Sequence, residues 1–367
     1  MPVQTENYLK ETEQINLSAI SCAPHVKSAE SVKLIMWTVA AALLPSAVFA
    51  GITFGLNAVY IMAVSVLSAM IAEAVIQLVM KKPLTILDGS AAVTGLLVAM
   101  NVPHDAPVWI SVAGAVFVII FVKQLFGGLG FNLFNPALTA RAAMMLFWSA
   151  FMTEKWYQYD GMNAFKTDII NRIDLALPMM EALSKTASSA ALKTGPELIL
   201  GNNLKIEQLY DILFSADMLK SLFFGNFRGG LGEISVLLLL IGGIFLIARK
   251  IISWQIPAVY IGTVGIISYI YYALSGNSLA QFYSLYHVFS GGLFLGAFFM
   301  ATDPVTTPIT GNGKLIFAVG CGILTFFIRF YGSYSYGVCF AILIMNAFVP
   351  LIDRFVKPKL FSTERVK

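Results

Sequence analysis

The sequence predicts an all-α polytopic membrane protein with about ten transmembrane segments, arranged as two inverted five-helix repeats that contain broken or half helices. Three observations predict this fold class. Of the 367 residues, 58% are hydrophobic and only 12% are charged, whereas a soluble domain carries about 25% charged residues. The apolar residues fall into ten runs, five on each side of one long hydrophilic region. Several of these runs are interrupted by glycine or proline.

The charge and the cysteine content argue against nucleic-acid binding, a zinc site and a disulfide framework. The formal net charge is only +4, so the sequence predicts no nucleic-acid partner. The apolar runs predict that a lipid bilayer surrounds the protein. Basic residues matter here through their placement along the loops. The three cysteines are widely spaced and form no CxxC pair. Neither a zinc site nor a disulfide framework is therefore predicted.

The first half of the chain begins with a polar segment, residues 1–33, which we expect in the cytoplasm. Residues 34–153 are predicted to form the first five-helix repeat. A helix needs roughly 20 apolar residues to cross a hydrocarbon core, so the third segment of this repeat is too short to cross alone. The fifth segment follows a break rich in glycine and asparagine. The segments cover residues 34–54, 58–80, 90–102 and 108–122, and a piece that starts near Pro136.

The second half of the chain begins after the hydrophilic region, residues 154–232, which mixes acids and bases with scattered apolar residues. Residues 233–357 are predicted to form the second five-helix repeat. Residues 358–367 are predicted to form a cytoplasmic tail. The apolar segments of this repeat cover residues 234–247, 256–274, 283–300, 315–330 and 338–352.

The two halves resemble each other at their interrupted segments. The third segment begins with Asp88-Gly-Ser and the eighth contains Ser290-Gly-Gly. Each is followed by a segment that ends in a base, Lys123 or Arg329. Short, interrupted segments at matching places in two halves indicate a site near the membrane midplane. Any glycine-rich membrane protein shows some self-similarity, but the matching bases favour a true repeat.

Basic residues also predict the orientation. A cytoplasmic N-terminus puts Lys81, Lys82, Lys123 and the basic tail on the cytoplasmic side, where membrane proteins concentrate Lys and Arg. Five segments per half then make the repeat inverted, leave both termini in the cytoplasm and place residues 154–232 outside. Arg329 falls outside and is the one base against this orientation. The predicted location is the inner, cytoplasmic membrane.

Three acids at segment ends are candidates for an ion path. Asp88, Asp303 and Asp353 lie beside glycine or proline breaks or at the end of an apolar run, and an acid within the membrane is a functional-site hypothesis by default. Hard cations such as Na⁺ prefer carboxylate and carbonyl oxygens. We expect Asp88 and Asp303 at opposite faces, with Asp303 nearest the coupled path. The alternative is that these acids cap helices or pair with Lys314 and Arg354 at the surface.

Five motifs carry a resemblance to a known family. The chain resembles the D subunit of the Rnf ion-translocating electron-transport complex and, more loosely, the B subunit of the sodium-pumping NADH:quinone reductase. The resemblance covers nearly the whole chain outside the hydrophilic region. In chain order, the motifs are APHVKS (23–28), LDGSAAVTG (87–95), KQLFGGLGFNLFNPALTAR (123–141), MATDPVTTP (300–308) and FAILIMNAFVPLIDR (340–354).

The resemblance implies electron transfer coupled to Na⁺ or H⁺ movement, in a complex with other integral and peripheral subunits. It also implies one FMN on the extracytoplasmic side, commonly joined to a threonine by a phosphodiester, and a second, riboflavin-like flavin in the membrane. A flavin ring needs close backbone approach and a few placed polar groups, which Gly127, Gly128, Asn132 and Asn135 can supply. Arg141 could face a flavin phosphate or carbonyl, or instead reach toward the membrane surface.

The sequence departs from the family at the FMN acceptor. The matching stretch reads Ser188-Ser189-Ala190-Ala191, with alanine where the family has its threonine. Thr186, Ser188 and Ser189 are nearby hydroxyls, and none fits the register. FMN then binds here without a covalent bond, binds through another hydroxyl, or is absent. The stretch is alternatively an ordinary solvated loop.

Two functions are compatible with this architecture. The first is a flavin-carrying subunit that couples electron flow of the ferredoxin/NAD type to ion movement. The second is a non-redox channel or transporter, in which the same repeats enclose a pore for a small polar solute. Fold does not imply function. The flavin motifs favour the first function, and the missing acceptor threonine keeps the second open.

Overall fold

The computed structural model describes residues 31–152, 216–225, 230–275, 280–331 and 337–357. In these residues the regular secondary structure is all helical, with no strand. Five helices are long and apolar enough to cross a membrane, and one bent pair of helices makes a sixth span if it is counted as one. Four shorter apolar helices accompany them. The prediction of an all-α polytopic membrane protein is confirmed, whereas the count of ten crossings stays a prediction.

The helices of the first repeat follow the predicted segments. The last of them begins where the sequence places a proline, because the Asn135 side chain accepts a hydrogen bond from the Leu138 N–H at 3.2 Å and caps the helix. A one-turn helix, α6 (Ser149–Met152), lies at the end of the repeat, after its fifth helix. The five helices are α1 (Val32–Phe54), α2 (Leu56–Val79), α3 (Ser90–Met100), α4 (Val108–Phe117, continued as a π-helix over Val118–Gln124) and α5 (Pro136–Phe147).

The helices of the second repeat also follow the predicted segments. Before them, α7 (Ala216–Phe224) lies in the hydrophilic region, where the sequence predicted no membrane segment. The eighth predicted segment is divided between two helices, α10 and α11. The helices of the repeat are α8 (Val236–Ala248), α9 (Gln255–Leu274), α10 (Ala280–Phe289), α11 (Leu293–Leu295, continued as a π-helix over Gly296–Met300), α12 (Gly311–Tyr331) and α13 (Gly337–Phe355).

Both predicted interruptions are present in the structure. Helix α3 has only 11 residues and begins directly after Gly89, whose φ of 82° lies in the left-handed region. Helices α10 and α11 are separated by a break that contains Gly291 and Gly292, with φ of 64° and 67°, and the chain bends there by 56°. Glycine adopts such angles at little cost because it has no Cβ. Helix α3 is therefore about 16 Å long, roughly half of a hydrocarbon core.

The two repeats pack in matching ways. Within each repeat the second helix packs against the fourth (α2 with α4, α9 with α12), and the fourth against the fifth (α4 with α5, α12 with α13). Between the repeats, equivalent helices meet, α1 with α8 and α5 with α13. The close approach of α1 and α8 depends on Gly242, where a Cβ would collide with the Ala42 carbonyl oxygen. Contacts between equivalent helices are what a pseudo-two-fold axis between two repeats produces.

Candidate functional site at the interrupted helices

A chain of polar side chains fixes the start of the half-helix α3. Asp88 Oδ1 accepts hydrogen bonds from the Ser90 backbone N–H at 2.7 Å and from the Ser90 hydroxyl at 2.6 Å. Lys123 Nζ donates to Ser90 Oγ at 2.6 Å and forms an ion pair with Glu73 Oε1 at 2.6 Å. Gln124 Nε2 donates to the same Glu73 oxygen at 2.8 Å. Asp88 thus satisfies the backbone where α3 begins and is connected to a buried ion pair.

Glu73 is the centre of this first network. It is the only acid in α2, and its side chain is fully buried. Both of its partners, Lys123 and Gln124, come from the π-helical end of α4, and π-helical turns are frequent at functional sites. Glu73 Oε2 has no hydrogen-bond partner among the described residues. An acid in a membrane segment is costly, so the Lys123 ammonium is what makes this buried charge tolerable.

At the second break, the equivalent base binds backbone carbonyls. Arg329 Nη1 donates to the His287 carbonyl at 2.6 Å, and Nη2 donates to the carbonyls of Ser290 and Gly291, each at 3.0 Å. The arginine is only 5% exposed. The last carbonyls of a helix lack intrahelical partners and carry partial negative charge. The guanidinium therefore lies where α10 ends, and its planar fork serves several carbonyls at once.

Between the two breaks, an ion pair joins the two repeats. Arg141 Nη1, on α5, donates to Asn101 Oδ1 at 2.8 Å and pairs with Glu233 Oε1 at 2.9 Å. The two charged side chains are 7% and 6% exposed. Asn101 directly follows α3, and Glu233 lies in the segment that leads into α8. The Glu233 carboxylate also lies against Gly292 at the start of α11, so the pair contacts both half-helices.

Asn135 is a second connection between the repeats. Its side-chain nitrogen donates to the Met300 carbonyl at 3.0 Å, while its oxygen caps α5 through Leu138. The Asn346 amide has one orientation that satisfies both neighbouring groups. In it, the amide oxygen accepts from the Asn135 N–H at 3.0 Å and the amide nitrogen donates to the Thr306 carbonyl at 3.2 Å. The predicted contact of Asn135 with a flavin stays a prediction. It would be made by an amide that already has these partners within the chain.

Asp303 lies outside the spanning helices, in the loop between α11 and α12, and that loop holds its carboxylate. Oδ1 accepts from the Val305 N–H and Oδ2 from the Thr306 hydroxyl, both at 3.3 Å, and the Asn132 side chain lies near the carboxylate. Burial raises the pKa of the Asp303 carboxyl above its ordinary value, and the neighbouring donors on Val305, Thr306 and Asn132 oppose that shift. Asp303 is therefore easier to protonate than an aspartate in water.

The three acids predicted for an ion path lie near neighbouring loops. Asp353 Oδ1 accepts from the Ile309 N–H at 3.1 Å, so it holds the same loop as Asp303. Asp303 contacts Asn132 in the loop between α4 and α5, and Asp88 is connected to the last turn of α4. The expectation of Asp88 and Asp303 at opposite faces of the membrane stays a prediction. Neither ion pair between described residues includes any of the three acids.

The loop between α4 and α5 presents an open backbone. Gly127 and Gly128 have φ of 124° and 106°, which side-chain-bearing residues rarely adopt. A Cβ at Gly130 would meet nothing within 4 Å. Phe126 and Phe131 are 54% and 69% exposed. Exposed aromatic faces beside an open glycine backbone fit a planar ring, so this loop is compatible with the flavin that the resemblance implies.

The region predicted to attach FMN lies outside the described residues. Thr186, Ser188 and Ser189 fall between residues 152 and 216. Their role as acceptors stays a prediction, as do the outer boundaries of the extracytoplasmic region 154–232.

Three residues of the site are absent from the sequence-based candidates: Glu73, Asn101 and Glu233. Glu73 had a clear signal, because it is the only acid in a 24-residue apolar helix, and an ionisable residue in such a helix marks a functional site. Asn101 and Glu233 had no such signal. Their partner Arg141 lies 40 and 92 residues away in the sequence, and the sequence pattern does not predict these long-range contacts.

Comparisons with known proteins agree with this architecture. A sequence model of the NQR2, RnfD, RnfE family matches residues 19–362. The D subunit of the Na(+)-translocating ferredoxin:NAD(+) oxidoreductase complex of Acetobacterium woodii is 40% identical over 354 residues, which cover 96% of this chain and 98% of the relative. The D subunit of the proton-translocating ferredoxin:NAD(+) oxidoreductase complex of Clostridium ljungdahlii is 40% identical over 350 residues, 95% of this chain and 98% of the relative. The D subunit of the ion-translocating oxidoreductase complex of Stutzerimonas stutzeri is 41% identical over 341 residues, 90% and 92%.

Proposed function

This chain belongs to the NQR2, RnfD, RnfE family, and we propose that it is the flavin-carrying membrane subunit of a multi-subunit complex that couples electron transfer of the ferredoxin/NAD type to translocation of Na⁺ or H⁺. Relatives are named for either ion, so the family supports ion coupling without fixing the ion. The proposed partners are the other integral and peripheral subunits of such a complex.

One structural observation supports this function most. Two half-helices from different repeats lie beside the buried, charged centre formed by Asn101, Arg141 and Glu233. Ionisable side chains inside a membrane are costly and mark ion or proton pathways. Discontinuous helices at matching places in two repeats bring helix ends and free carbonyls to such a site. A subunit that served only to anchor its partners would have no use for buried charges at this point.

The membrane flavin is proposed to bind at the loop between α4 and α5, with Gly127, Gly128, Asn132, Asn135 and Arg141 as its contacts. The open glycine backbone and the exposed aromatic residues support this placement. A bound flavin supplies the one- and two-electron chemistry, and the protein's task is to orient the ring and tune its surroundings. Asn132 also contacts Asp303, so the same loop would connect the redox group to an acid of the proposed ion path.

A second flavin, FMN, is proposed for the extracytoplasmic region 154–232. Alanine replaces the acceptor threonine of the family pattern, so FMN is held there without a covalent bond or through one of the hydroxyls of Thr186, Ser188 and Ser189.

The visible absorption spectrum of the purified chain, recorded before and after acid precipitation, tests the redox function. We expect flavin absorption in the native protein. Colour that stays in the pellet after precipitation indicates a covalent flavin, and colour released to the supernatant indicates a non-covalent one. A colourless protein, purified with its complex under conditions that retain free flavins, would instead favour the non-redox channel or transporter.

Substitution of the loop asparagines tests the placement of the membrane flavin. Asn135→Leu should lower the non-covalent flavin content, but it also removes the cap of α5 and the bond to Met300. Asn132→Leu is therefore the sharper variant, because Asn132 caps no helix. Its flavin content should fall while the helix content measured by circular dichroism stays unchanged. Unchanged flavin content in both variants would refute the placement.

The orientation is also a proposal: an inner-membrane protein with both termini in the cytoplasm and residues 154–232 outside. The positions of Lys81, Lys82 and Lys123 support it through the positive-inside rule. In a variant without the native cysteines, Asn202→Cys should react with an impermeant thiol reagent in intact cells. Labelling that requires lysis would show the opposite orientation or a wrong span count.

The acids Asp88, Asp303 and Asp353 are proposed to serve the ion path. Carboxylates near loop carbonyls suit a hard cation, and a carboxyl that protonates readily suits H⁺. Asp303 fits both, because a loop holds it and its pKa is raised by burial. Asp88 would act beside the Glu73–Lys123 pair, to which Ser90 connects it.

A further inference from the structure

We propose that the Arg141–Glu233 ion pair is a positioning device that keeps the two half-helices in register, so that electron transfer in the complex stays tied to ion movement. The inference rests on the proposed function and extends it to Glu233, a residue to which neither the motifs nor the resemblance gives a role.

The segment that carries Glu233 also holds the end of α3. The Gly232 N–H donates to the Met100 carbonyl at 2.8 Å, and the Leu231 N–H donates to the Val102 carbonyl at 3.2 Å. These carbonyls are at the C-terminal end of the half-helix, where intrahelical partners are missing. The entrance to the second repeat therefore completes a half-helix of the first repeat.

The Glu233 carboxylate also meets the start of α11. A Cβ at Gly292 would collide with that carboxylate, and Gly292 has a φ of 67°. The guanidinium of Arg141 lies beside Asn101, at the negative end of α3, while the carboxylate of Glu233 lies at the positive end of α11. Each charge thus faces a helix end of opposite partial charge. A shift of either half-helix must break the Arg141–Asn101 bond or displace the Glu233 carboxylate.

Stability alone does not account for this pair. The cost of removing two charges from water is large, and well-packed apolar residues in place of a buried ion pair are often as stable or more stable. What charges add is specificity of arrangement, because removing either partner leaves the other uncompensated. The pair lies where the two repeats meet, and movement of one repeat against the other is how transporters of this construction expose a site to each side. A pair that fixes the register of both half-helices at that interface would couple their positions.

The test uses the assembled complex in inside-out membrane vesicles, with reduced ferredoxin as electron donor and NAD⁺ as acceptor. Electron transfer is measured as NADH formation, and ion movement as uptake of radioactive Na⁺ and, with a pH-sensitive dye, of H⁺. In Glu233→Gln, which keeps the size but removes the charge, we expect the number of ions moved per electron to fall by half or more. The ratio is taken against the electrons transferred in the same vesicles, so a slower rate of electron transfer alone does not change it.

Two further variants separate positioning from folding. Gly292→Ala pushes on the Glu233 carboxylate and leaves every charge in place, so it should lower the same ratio. Tyr260→Phe is the matched control, because it removes a buried hydrogen bond of 2.6 Å to Thr325 elsewhere in the second repeat. It should lower thermal stability and leave the ratio unchanged.

A normal ratio in Glu233→Gln would overturn the inference, and so would an equal fall of the ratio in Tyr260→Phe. If Glu233→Gln fails to assemble, Gly292→Ala decides: a lowered ratio supports the inference, and a normal ratio overturns it. Failure of both to assemble would show the pair to be a folding requirement and would also overturn it. The unmodified complex tests the proposed function separately, because electron transfer there without any ion uptake would refute that function rather than the role of Glu233.

Discussion

The two interrupted helices are stabilised by equivalent bases in different ways. At the first break, the Lys123 ammonium binds the Ser90 hydroxyl and the Glu73 carboxylate, both at 2.6 Å. At the second, the Arg329 guanidinium donates to three backbone carbonyls, among them those of Ser290 and Gly291. Each base lies near the end of the second helix after its break, Lys123 in α4 and Arg329 in α12. This is the correspondence that the repeat predicts. The position of the base is shared by the two repeats, and the groups to which it is seen to donate differ.

Each break accommodates a buried cation with different partners. The first base is bound to a carboxylate, that of Glu73 on α2. The second base donates to backbone carbonyls at the negative end of α10. The chemistry of the side chains fits these roles, because lysine is a compact point charge and arginine a planar fork. At the first break the base therefore binds side chains, and at the second it binds the carbonyls of a helix end.

The largest effect is expected when the charge pair of the first break is broken. Lys123→Met leaves Glu73 buried without its counter-charge and should destabilise the protein by about 3–5 kcal/mol. The double variant Lys123→Met/Glu73→Gln removes both charges and should recover most of that loss. Chemical unfolding of the purified protein in detergent measures both. A double variant as unstable as Lys123→Met alone would show that charge balance is not what Lys123 supplies.

A smaller effect is expected at the second break. Arg329→Lys keeps the positive charge but cannot reach all three carbonyls, and each lost bond to a charged group is worth about 1.5–3 kcal/mol. We expect a loss of about 2 kcal/mol, since the shorter ammonium keeps part of the bonding. The same unfolding assay applies. The double variant Arg329→Lys/Glu73→Gln should be no more stable than Arg329→Lys alone. If Glu73→Gln restored stability here as it does for Lys123→Met, the two breaks would not differ in the way described.

The smallest effect on stability is expected at Asp303, beyond the second half-helix. Burial raises the pKa of its carboxyl in the folded protein, so the folded state binds the proton more readily than the unfolded state. The contribution of this group to the free energy of unfolding is therefore fully present below the unfolded pKa and falls as the pH rises through the folded pKa. Asp303→Asn should be at least as stable as the unmodified protein at pH 7, and the difference should vanish in acid. A variant that is less stable at pH 7 and at acid pH alike would contradict this.

The sequence predicted what depends on local pattern. Apolar run lengths predicted the helices to within a few residues, and glycines such as Gly89 and Gly292 marked both breaks, because only local backbone freedom is needed there. The matching bases predicted the correspondence of the repeats. The ion-pair partners of the charged residues were not predictable in this way. Arg141 pairs with Glu233, which lies 92 residues away in the sequence, at the other end of the hydrophilic region. The hydrogen bond between Asp353 and the Ile309 N–H, 44 residues away in the sequence, was not predictable for the same reason.

The claim that ion coupling depends on an acid beside the proposed flavin loop is tested most directly by Asp303→Asn in the assembled complex, assayed over a range of Na⁺ concentrations and pH. The substitution keeps size and polarity and removes the charge. We expect the ion concentration for half-maximal activity to rise, or turnover at limiting ion to fall, with unchanged flavin content. Normal ion transport at limiting ion concentration, with normal electron transfer, would show that Asp303 is structural and would contradict the claim.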